Sequence, residues 1–426
     1  MICFEIPPDW VELCSAEFTD NNSCADVAAL TRQVLEAPIN RAPLENELRS
    51  EDSVAIIIED LTRTSPKKKI LGVLLQHLES IGIADENIVI VIALGTHEPL
   101  NAKQLKSGYG EKVVSRYRII NHDCRAKNLV KIARLKSGCP IKINPTVFSA
   151  DFRIGVGSIL PHPMNGFGGG SKILFPGVAD FQSIFEHHLQ CSFTGQSRMG
   201  NLQDNEFYQE VNRLAQLGKL DFIINSVLDH KDRLHDLVCG DPVEAHREGC
   251  RISSEILTKQ FNSPADITII SAFPHTEGPQ IMKPLAAAES ITSRGGFIIL
   301  YADCTVPLPE EYYGACERFR DAYGPELRPA VLDHFAANRG IIDDASPEMN
   351  MSLAQVLLAL NDYTLILVTP DIAAGDVRRL GFIHAEKIEE ALSIAAERFT
   401  NPSVNIVPSG GVILPLVKQY TAYPVQ

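Results

Sequence analysis

The chain has 426 residues, of which 45% are hydrophobic and 22% charged, and its formal net charge is -14 at pH 7. This length exceeds what one ordinary hydrophobic core accommodates, so we expect two domains. The acidic balance argues against a nucleic-acid-binding surface, which requires a concentrated basic patch. The short lysine run from Lys67 to Lys69 is expected to be a solvated first helical turn.

No uninterrupted apolar run reaches the roughly 18 residues of a membrane span, and the N-terminus lacks the basic start and apolar core of a signal peptide. The sequence therefore predicts a cytoplasmic protein that does not interact with membranes. Ten cysteines are present, none of them in a CxxC pair, which excludes the common zinc-ribbon spacings. Without a secretory signal we expect reduced, mostly buried thiols.

From residue 53 onward the chain alternates apolar strands with amphipathic helices. We predict strands over 53–59, 87–94, 117–121, 151–156 and 221–227, a helix over 68–81 and a largely helical stretch over 181–217. This alternation is typical of βαβ units in a parallel sheet.

A turn cluster, FNSP at 261–264, precedes a second α/β run. There we predict strands over 267–272, 296–301 and 364–369, and helices near 280–293, 310–322, 353–360 and 386–399. The expected fold class is α/β, with two domains that each contain a mostly parallel sheet flanked by helices. The first domain is predicted over 1–262 and the second over 263–409. The sequence does not decide whether 410–426 joins the first domain or closes the second.

Polar side chains follow four of the predicted strands directly. Asp60 and Arg63 follow the strand at 53–59, His97 follows 87–94, His162 follows 151–156, and Gln280 and Lys283 follow 267–272. Because the carboxyl ends of parallel strands share one edge of a sheet, we expect these residues to converge. Gln280 and Lys283 belong to the second domain, so the predicted active site is a cleft between the domains.

Arg63, Lys283 and Asp60 each permit more than one interpretation. Arg63 and Lys283 taken singly are interpretable as surface cations, whereas a guanidinium and an ammonium in one cleft suit a small carboxylate substrate. Asp60 is interpretable as a cap for the following helix, as support for Arg63 or as a substrate contact. Gln280 and Lys283, three residues apart at a helix start, would share one helix face.

Two histidines are candidate general acid/bases. His97 lies in a loop directly after a buried strand, and His162 lies between two prolines that stiffen its backbone. Two positioned imidazoles of this kind suit acid/base chemistry on opposite faces of one substrate. His275 and His122 are weaker candidates.

Residues 155–188 are the stretch richest in potential chemistry. Four glycines between Gly166 and Gly170 would let a flat or phosphorylated ligand approach the backbone. Lys172 permits three interpretations: a phosphate-loop lysine, although the spacing differs from that motif; a Schiff-base lysine; or a covalent anchor for another cofactor, with His188 as a metal ligand. The rings of His187 and His188 point about 100° apart on a helix, so only one can face the site.

Five motifs, DLTR, ALGTH, PHPMNGFGGGSK, HH and QIMK, occur in this order between Asp60 and Lys283. Together they resemble the nickel-pincer-nucleotide lactate racemase family and its 2-hydroxyacid racemase and epimerase relatives. The resemblance implies an isomerase whose N-terminal domain binds the cofactor, a pyridinium-3-thioamide-5-thiocarboxylic acid mononucleotide. It also implies a covalent link from this nucleotide to Lys172, nickel held by the cofactor's sulfur and carbon atoms and by His188, and a cofactor loop that contains Gly168, Gly169 and Gly170.

The resemblance further implies a role for the two candidate bases. His97 and His162 would alternate, each taking the hydroxyl proton of one enantiomer while hydride passes from the α-carbon to the cofactor, which gives a 2-oxoacid that is reduced again on either face. Arg63 and Lys283 would hold the substrate carboxylate, with Asp60 supporting Arg63 and Gln280 bonding a substrate oxygen. The implied partners are a small-molecule 2-hydroxyacid and the proteins that make the cofactor.

One position departs from this pattern. Pro279 stands where we expect an aromatic residue in lactate-specific members, and the preceding PHTEG segment is polar. These features favour a larger or more polar 2-hydroxyacid alongside lactate as a candidate substrate. Two alternatives are a metal-dependent hydrolase or lyase with zinc or iron bound by His97, His162 and His188, and a non-enzymatic nucleotide-binding protein on the same fold.

Overall fold

The computed structural model describes residues 4–18 and 26–418. Its strands are, in chain order, β1 (Val11–Ser15), β2 (Val54–Glu59), β3 (Ile88–Ala93), β4 (Arg118–Asn121), β5 (Val130–Arg134), β6 (Pro140–Ile143), β7 (Phe152–Ile159), β8 (Pro161–His162), β9 (Gly166–Phe167), β10 (Phe222–Leu228), β11 (Leu234–Gly240), β12 (Thr258–Phe261), β13 (Ala265–Ser271), β14 (Thr292–Tyr301), β15 (Thr364–Val368), β16 (Ile383–Ala385), β17 (Ser403–Val407) and β18 (Leu414–Val417).

The α-helices of the described ranges are α1 (Val27–Glu36), α2 (Leu44–Glu47), α3 (Lys67–Ile81), α4 (Ala102–Tyr109), α5 (Glu111–Arg116), α6 (Pro145–Ser149), α7 (Phe181–Cys191), α8 (Glu206–Leu217), α9 (Glu244–Leu257), α10 (Leu285–Ile291), α11 (Glu310–Tyr323), α12 (Leu327–Ala336), α13 (Pro347–Asp362), α14 (Ala374–Arg379) and α15 (Ile388–Ala396). Short 3₁₀ helices cover Asp85–Asn87, Gly170–Ile173, Gly278–Met282 and Gly324–Glu326.

The chain forms two compact units. Unit 1 comprises the described parts of Met1–Thr19, Ser192–Thr194 and Leu257–Gln426, and unit 2 comprises those of Asp20–Cys191 and Gly195–Ile256. The boundary predicted at residue 262 lies close to Leu257, where unit 1 resumes. In the predicted C-terminal stretch, β18 pairs with β12 inside unit 1, whereas residues 419–426 lie outside the described residues.

Unit 2 is built on a six-stranded sheet in the order β11-β10-β7-β2-β3-β4. Every neighbouring pair in it is parallel except β10 and β11. Strand β2 is buried at all of its positions, as expected for a parallel strand that is covered on both faces. The carboxyl ends of β2, β3 and β7 therefore lie on one edge of this sheet.

Unit 1 contains a second six-stranded sheet, in the order β1-β17-β13-β14-β15-β16, with all neighbours parallel. Branched aliphatic residues of β13, β14 and β15, including Ile267, Ile299 and Ile366, form its core together with α15. The predicted α/β fold, with mostly parallel sheets flanked by helices, is thus confirmed.

Two local predictions need correction, and one strand was missed. The stretch 181–217 is two helices, α7 and α8. The N-cap of α8 is Asn205, whose side chain accepts the N–H of Tyr208. The predicted helix over 280–293 is a 3₁₀ helix followed by α10, with Pro284 between them, because proline has no N–H to continue the turn. The antiparallel strand β11 had no clear alternating pattern and was not predicted.

Among the described residues, no helix is long and apolar enough to cross a membrane. The eight cysteines within the described ranges are all free, and Cys3 and Cys24 lie outside those ranges.

Candidate active site

Asp60 and His97 meet at the carboxyl edge of the unit 2 sheet. Strands β2 and β3 are neighbours whose last residues, Glu59 and Ala93, are in register, so the loops that follow them start side by side. Asp60 is buried, with 5% exposure, and its Oδ2 lies 2.6 Å from His97 Nδ1. Asp60 Oδ1 accepts hydrogen bonds from the N–H of Thr62 at 3.0 Å and from its hydroxyl at 2.6 Å.

These contacts determine the charge of Asp60. Burial alone raises the pKa of this carboxyl, but the hydrogen bond and charge of His97, the Thr62 hydroxyl and the charge of Arg63 outweigh it and lower the pKa to about 2. An ionised carboxylate only accepts hydrogen bonds, so His97 must donate through Nδ1. In a neutral His97 ring, Nε2 is therefore the atom able to accept a proton.

Arg63 lies next to this pair but bonds elsewhere. Its Nη1 donates to the carbonyl oxygen of Thr62 at 3.3 Å and to the Thr62 hydroxyl at 3.1 Å. Helix α3 has Pro66 at its N-cap and no side-chain capping bond there, so the interpretation of Asp60 as a helix cap is wrong. Among the described contacts, Asp60 interacts with Arg63 through charge, while its hydrogen bonds go to Thr62 and His97.

Lys67 corrects the prediction of a solvated lysine turn. Lys68 and Lys69 are exposed, but Lys67 is only 4% exposed. Its Nζ donates to the carbonyl oxygen of Arg63 and lies 3.8 Å from Glu59 Oε1. Burial lowers the pKa of Lys67, and the charge of Glu59 opposes that effect. The buried pair fixes the backbone of the loop that carries Arg63.

His162 is held in a different way. Strands β8 and β9 pair so that His162 faces Gly166, and His162 Nδ1 accepts the backbone N–H groups of Met164 and Asn165, both at 3.2 Å. A neutral His162 ring in this arrangement carries its hydrogen on Nε2. His97 and His162 thus have their ring hydrogens on opposite nitrogens.

The glycine loop is shaped by the protein itself. Gly169 and Gly170 have positive φ values of 78° and 57°, a region that favours glycine. A Cβ on Gly169 would lie 2.8 Å from Asn225 Oδ1, and one on Gly170 would lie 2.5 Å from His246 Cγ. Gly168 is less constrained, because its nearest contact would be 3.5 Å. Two of these glycines are therefore required by internal packing, which the motif alone did not reveal.

Lys172 and His188 share one aromatic neighbour, Phe207. Lys172 follows the loop in a 3₁₀ helix, and its Nζ lies 5.7 Å from the Phe207 ring centre. The His188 ring meets the Phe207 ring edge to face at 5.0 Å, and the His162 ring centre lies 6.3 Å from it. Phe207 is fully buried. Sequence analysis missed this residue because nothing in its local pattern distinguishes it from an ordinary core phenylalanine.

The His188 ring is oriented by the backbone of its own helix. Its Nδ1 donates to the carbonyl oxygen of Ile184 at 2.8 Å, and in this tautomer the hydrogen is absent from Nε2. His187 is turned inward, fully buried beside Phe175 and Phe207. Neither ring nitrogen of His187 has a hydrogen-bond partner among the described residues, and burial holds the pKa of this ring well below its usual value.

These residues fit a cofactor that is attached to a lysine and brings most of its own metal ligands. One imidazole with Nδ1 already bonded and one amine lie around the same ring, and the buried Ser171 hydroxyl beside Lys172 has no hydrogen-bond partner in the described ranges. No group of three or more His, Cys, Asp or Glu side chains in those ranges is arranged to hold a metal ion. The three-histidine zinc or iron centre of the hydrolase alternative is therefore not formed here.

Gln280 and Lys283 belong to unit 1. Gln280 lies in the 3₁₀ helix Gly278–Met282 and Lys283 directly follows it. Within the described part of the chain, the buried Gln280 Oε1 has no hydrogen-bond partner. The Ser352 hydroxyl donates to the carbonyl oxygen of Pro279 at 2.9 Å and fixes this turn to α13.

His122, the weakest of the candidates, is structural. It is 3% exposed, its Nε2 lies 2.8 Å from the carbonyl oxygen of Ala179, and burial lowers its pKa. His275 lies in unit 1, where its backbone N–H donates to the carbonyl oxygen of Ala272 at 2.9 Å.

Comparison with known proteins places this site in context. A family model described as the lactate racemase N-terminal domain matches residues 1–200. A lactate racemase from Thermoanaerobacterium thermosaccharolyticum is 30% identical over 389 residues, which cover 89% of this chain and 88% of the relative. A lactate racemase from Lactiplantibacillus plantarum is 28% identical over 423 residues, covering 95% of this chain and 94% of the relative.

Solved structures agree with these relatives. The lactate racemase apoprotein from Thermoanaerobacterium thermosaccharolyticum matches with a TM-score of 0.85 and 26% identity, over 97% of each chain. A structural-genomics protein from Thermotoga maritima matches with a TM-score of 0.68 and 18% identity, over 91% of this chain and 97% of that one. The latter similarity shows the fold alone.

Proposed function

Because the chain belongs to the lactate racemase family and is an isomerase, we propose that it interconverts the enantiomers or epimers of a 2-hydroxy acid by proton-coupled hydride transfer. The observation that carries the proposal is the Asp60-bound His97 at the carboxyl edge of the unit 2 sheet, together with His162 after the strand on the other side of β2. Two positioned imidazoles are what chemistry on two faces of one carbon requires.

In this proposal the substrate hydroxyl proton moves to a histidine. His97 accepts it at Nε2, and the Asp60 carboxylate 2.6 Å from Nδ1 stabilises the imidazolium that forms. His162 differs, because its ring hydrogen is on Nε2. Nε2 can accept a proton only after the hydrogen moves to Nδ1, and the charged ring likewise needs a hydrogen on Nδ1. That change ends the two contacts from Met164 and Asn165. We therefore expect His97 to be the stronger base, and the segment from His162 to Asn165 to shift when His162 takes part.

The proposal assigns the cofactor, a nickel-pincer nucleotide, to the residues around Phe207. Lys172 would be its covalent attachment point, His188 its nickel ligand, and Gly168, Gly169 and Gly170 the loop against which it lies. When bound, this group supplies an acceptor for the α-hydrogen as hydride, which avoids ionising a very weak carbon acid. Proteins that synthesise the cofactor would be required partners.

Substrate binding stays assigned to the side chains named from the sequence. Arg63 and Lys283 would bind the carboxylate, and Gln280 would bond the ketone or carboxylate oxygen of the substrate. The role of Asp60 is revised from supporting Arg63 to holding His97. Pro279, in place of an expected aromatic, leaves lactate and a larger or more polar 2-hydroxy acid as candidates, and the latter is favoured.

The test is a panel of enantiopure 2-hydroxy acids, including lactate, a dicarboxylate and a sugar acid, incubated with enzyme whose attached mass and nickel content have been measured. Chiral chromatography should show conversion of at least one compound to its opposite enantiomer or epimer. If every compound remains unchanged with fully loaded enzyme, the chain is not a racemase of this substrate class.

A further inference from the structure

Two buried polar side chains hydrogen-bond the backbone of the glycine loop. Asn225, on β10, is 0% exposed, and its Oδ1 accepts the backbone N–H of Gly170 at 2.7 Å. His246, on α9, is 1% exposed, and its Nε2 donates to the carbonyl oxygen of Gly168 at 2.8 Å. The two side chains therefore bond the first and third residues of the run Gly168–Gly170.

The two residues also exclude a side chain at Gly169 and at Gly170. The distances that a Cβ would have to Asn225 and His246, 2.8 Å at Gly169 and 2.5 Å at Gly170, show that amide and imidazole lie directly against the loop backbone. This contact, together with the positive φ values, leaves the loop one conformation to adopt. Lys172 is two residues beyond Gly170 and starts from that fixed backbone.

Asn225 and His246 have few other polar contacts that would explain why a polar side chain is buried at these positions. Asn225 Nδ2 donates to the carbonyl oxygen of Ile224 at 3.0 Å. The His246 ring stacks on Tyr208 at 5.7 Å. The Cys250 Sγ lies 3.4 Å from His246 Nε2 and 3.8 Å from its Nδ1. A buried polar group lowers stability unless it is bonded, so a core that served packing alone would be better filled by apolar residues.

Helix α8 connects this loop support to the ring cluster. Tyr208 contacts His246, and its neighbour Phe207 contacts Lys172 and His188. Helix α8 thus contacts both His246, which bonds the loop, and the Lys172 side chain. Burial keeps the His246 ring neutral at physiological pH by lowering its pKa to about 4, which suits a permanent hydrogen-bond donor to a carbonyl oxygen.

We propose that Asn225 and His246 are positioning residues that fix the glycine loop so that Lys172 is held ready for attachment of the cofactor. The proposal rests on the proposed function for the identity of the attached group. The hydrogen bonds to the loop do not depend on it.

The test compares His246→Leu with His246→Gln, which keeps an N–H donor, and with Ser253→Ala. Ser253 is a matched control because it is fully buried on α9 and its hydroxyl has no hydrogen-bond partner in the described ranges. In cofactor-free protein, His246→Leu should raise amide hydrogen exchange of residues 168–173 by about tenfold, the effect of losing one net hydrogen bond. Exchange in β2 and β7 should stay unchanged, and the other two variants should match the wild type.

A second readout is the fraction of Lys172 that carries added mass after loading. His246→Leu should lower this fraction several-fold, with His246→Gln restoring most of it. Wild-type exchange and full Lys172 modification in His246→Leu would overturn the proposal. If His246→Leu does not fold, Asn225→Ala replaces it with the same expectations. A wild-type chain without added mass at Lys172 would instead refute the cofactor assignment, and the exchange result would still decide whether the two residues hold the loop.

Discussion

Asp60 Oδ2 lies 2.6 Å from His97 Nδ1, although the two residues are 37 positions apart in the chain. The carboxylate is buried, and because its pKa is lowered to about 2 it stays ionised until the pH falls to that value. It therefore orients the imidazole, fixes its hydrogen on Nδ1 and stabilises the charged ring. In the proposed reaction, this pairing would make Asp60 part of the proton transfer rather than only a neighbour of Arg63.

Replacing Asp60 with Asn should reduce the turnover rate by roughly a hundredfold or more, because an amide can donate to Nδ1 and favour the wrong tautomer of His97. The apparent KM should change little if Arg63 binds the carboxylate. Steady-state kinetics with the substrate found in the panel measure both values. A large rise in KM at an unchanged turnover rate would instead return Asp60 to the role of supporting Arg63.

The stability of the protein should depend on pH through the ionisation of Asp60. The pKa of Asp60 is lowered from 3.8 to about 2 on folding, so its ionised form stabilises the folded state above about pH 4, and this contribution is lost as the pH falls toward 2. The difference in unfolding free energy between wild type and Asp60→Asn should narrow by about 1 kcal/mol between pH 5 and pH 3. Urea denaturation at the two pH values measures it, and a constant difference would contradict the assigned charge.

His97→Ala and His162→Ala should each lower interconversion by about 10²- to 10⁴-fold, since each direction of the reaction uses both faces of the carbon. His77, on α3 and paired with Glu45 at the surface, provides the control, and His77→Ala should keep full activity. Chiral assays started from each enantiomer provide the readout. Near-normal racemisation by either active-site variant would remove that histidine from the proposed pair.

Lys172→Ala and His188→Ala should separate attachment from metal binding. Lys172→Ala should lose the added mass and the nickel together, because the tether holds the group that carries most of the metal's ligands. His188→Ala should keep the mass but lose most of the nickel. Intact-mass and metal analysis of both variants, loaded alongside wild type, distinguish these outcomes. Full nickel content in His188→Ala would show that another side chain binds the metal.

Phe207→Leu should lower the unfolding free energy by about 1 to 3 kcal/mol through lost packing and should also reduce nickel content, because His188 loses its edge-to-face neighbour. Phe297→Leu is the matched control, as Phe297 is buried in unit 1 and meets Phe399 edge to face at 5.1 Å. It should cost similar stability and leave nickel unchanged. Equal nickel in both variants would make Phe207 an ordinary core residue.

Particular residues show what the sequence could and could not predict. The apolar runs at β2, β3 and β7 predicted parallel strands. Because the carboxyl ends of parallel strands share one edge of a sheet, Asp60, His97 and His162 were expected to lie at that edge. This expectation did not include the hydrogen bond between Asp60 and His97, because the direction of a side chain depends on how the loops pack.

Other residues were misread or missed for similar reasons. Lys67 lies in a run of lysines that is typical of a solvated turn, yet its side chain is buried and forms an ion pair with Glu59 at the end of β2. Asn225, His246 and Phe207 lie in elements without a motif and acquire their positions only from contacts distant in the chain. The glycine motif predicted a ligand-binding loop, but its positive φ values and internal contacts depend on distant residues that the local sequence does not reveal.

The most direct test of the central claim follows a deuterium label on the α-carbon. An enantiopure 2-hydroxy acid from the active panel, deuterated at C2, is converted by loaded enzyme in ordinary water and the opposite enantiomer is analysed by mass spectrometry. Hydride transfer predicts that the product keeps the label at C2, because only the hydroxyl proton passes through His97 and His162 and exchanges with solvent. Complete loss of the label to water would mean that the α-hydrogen leaves as a proton, and would contradict this account.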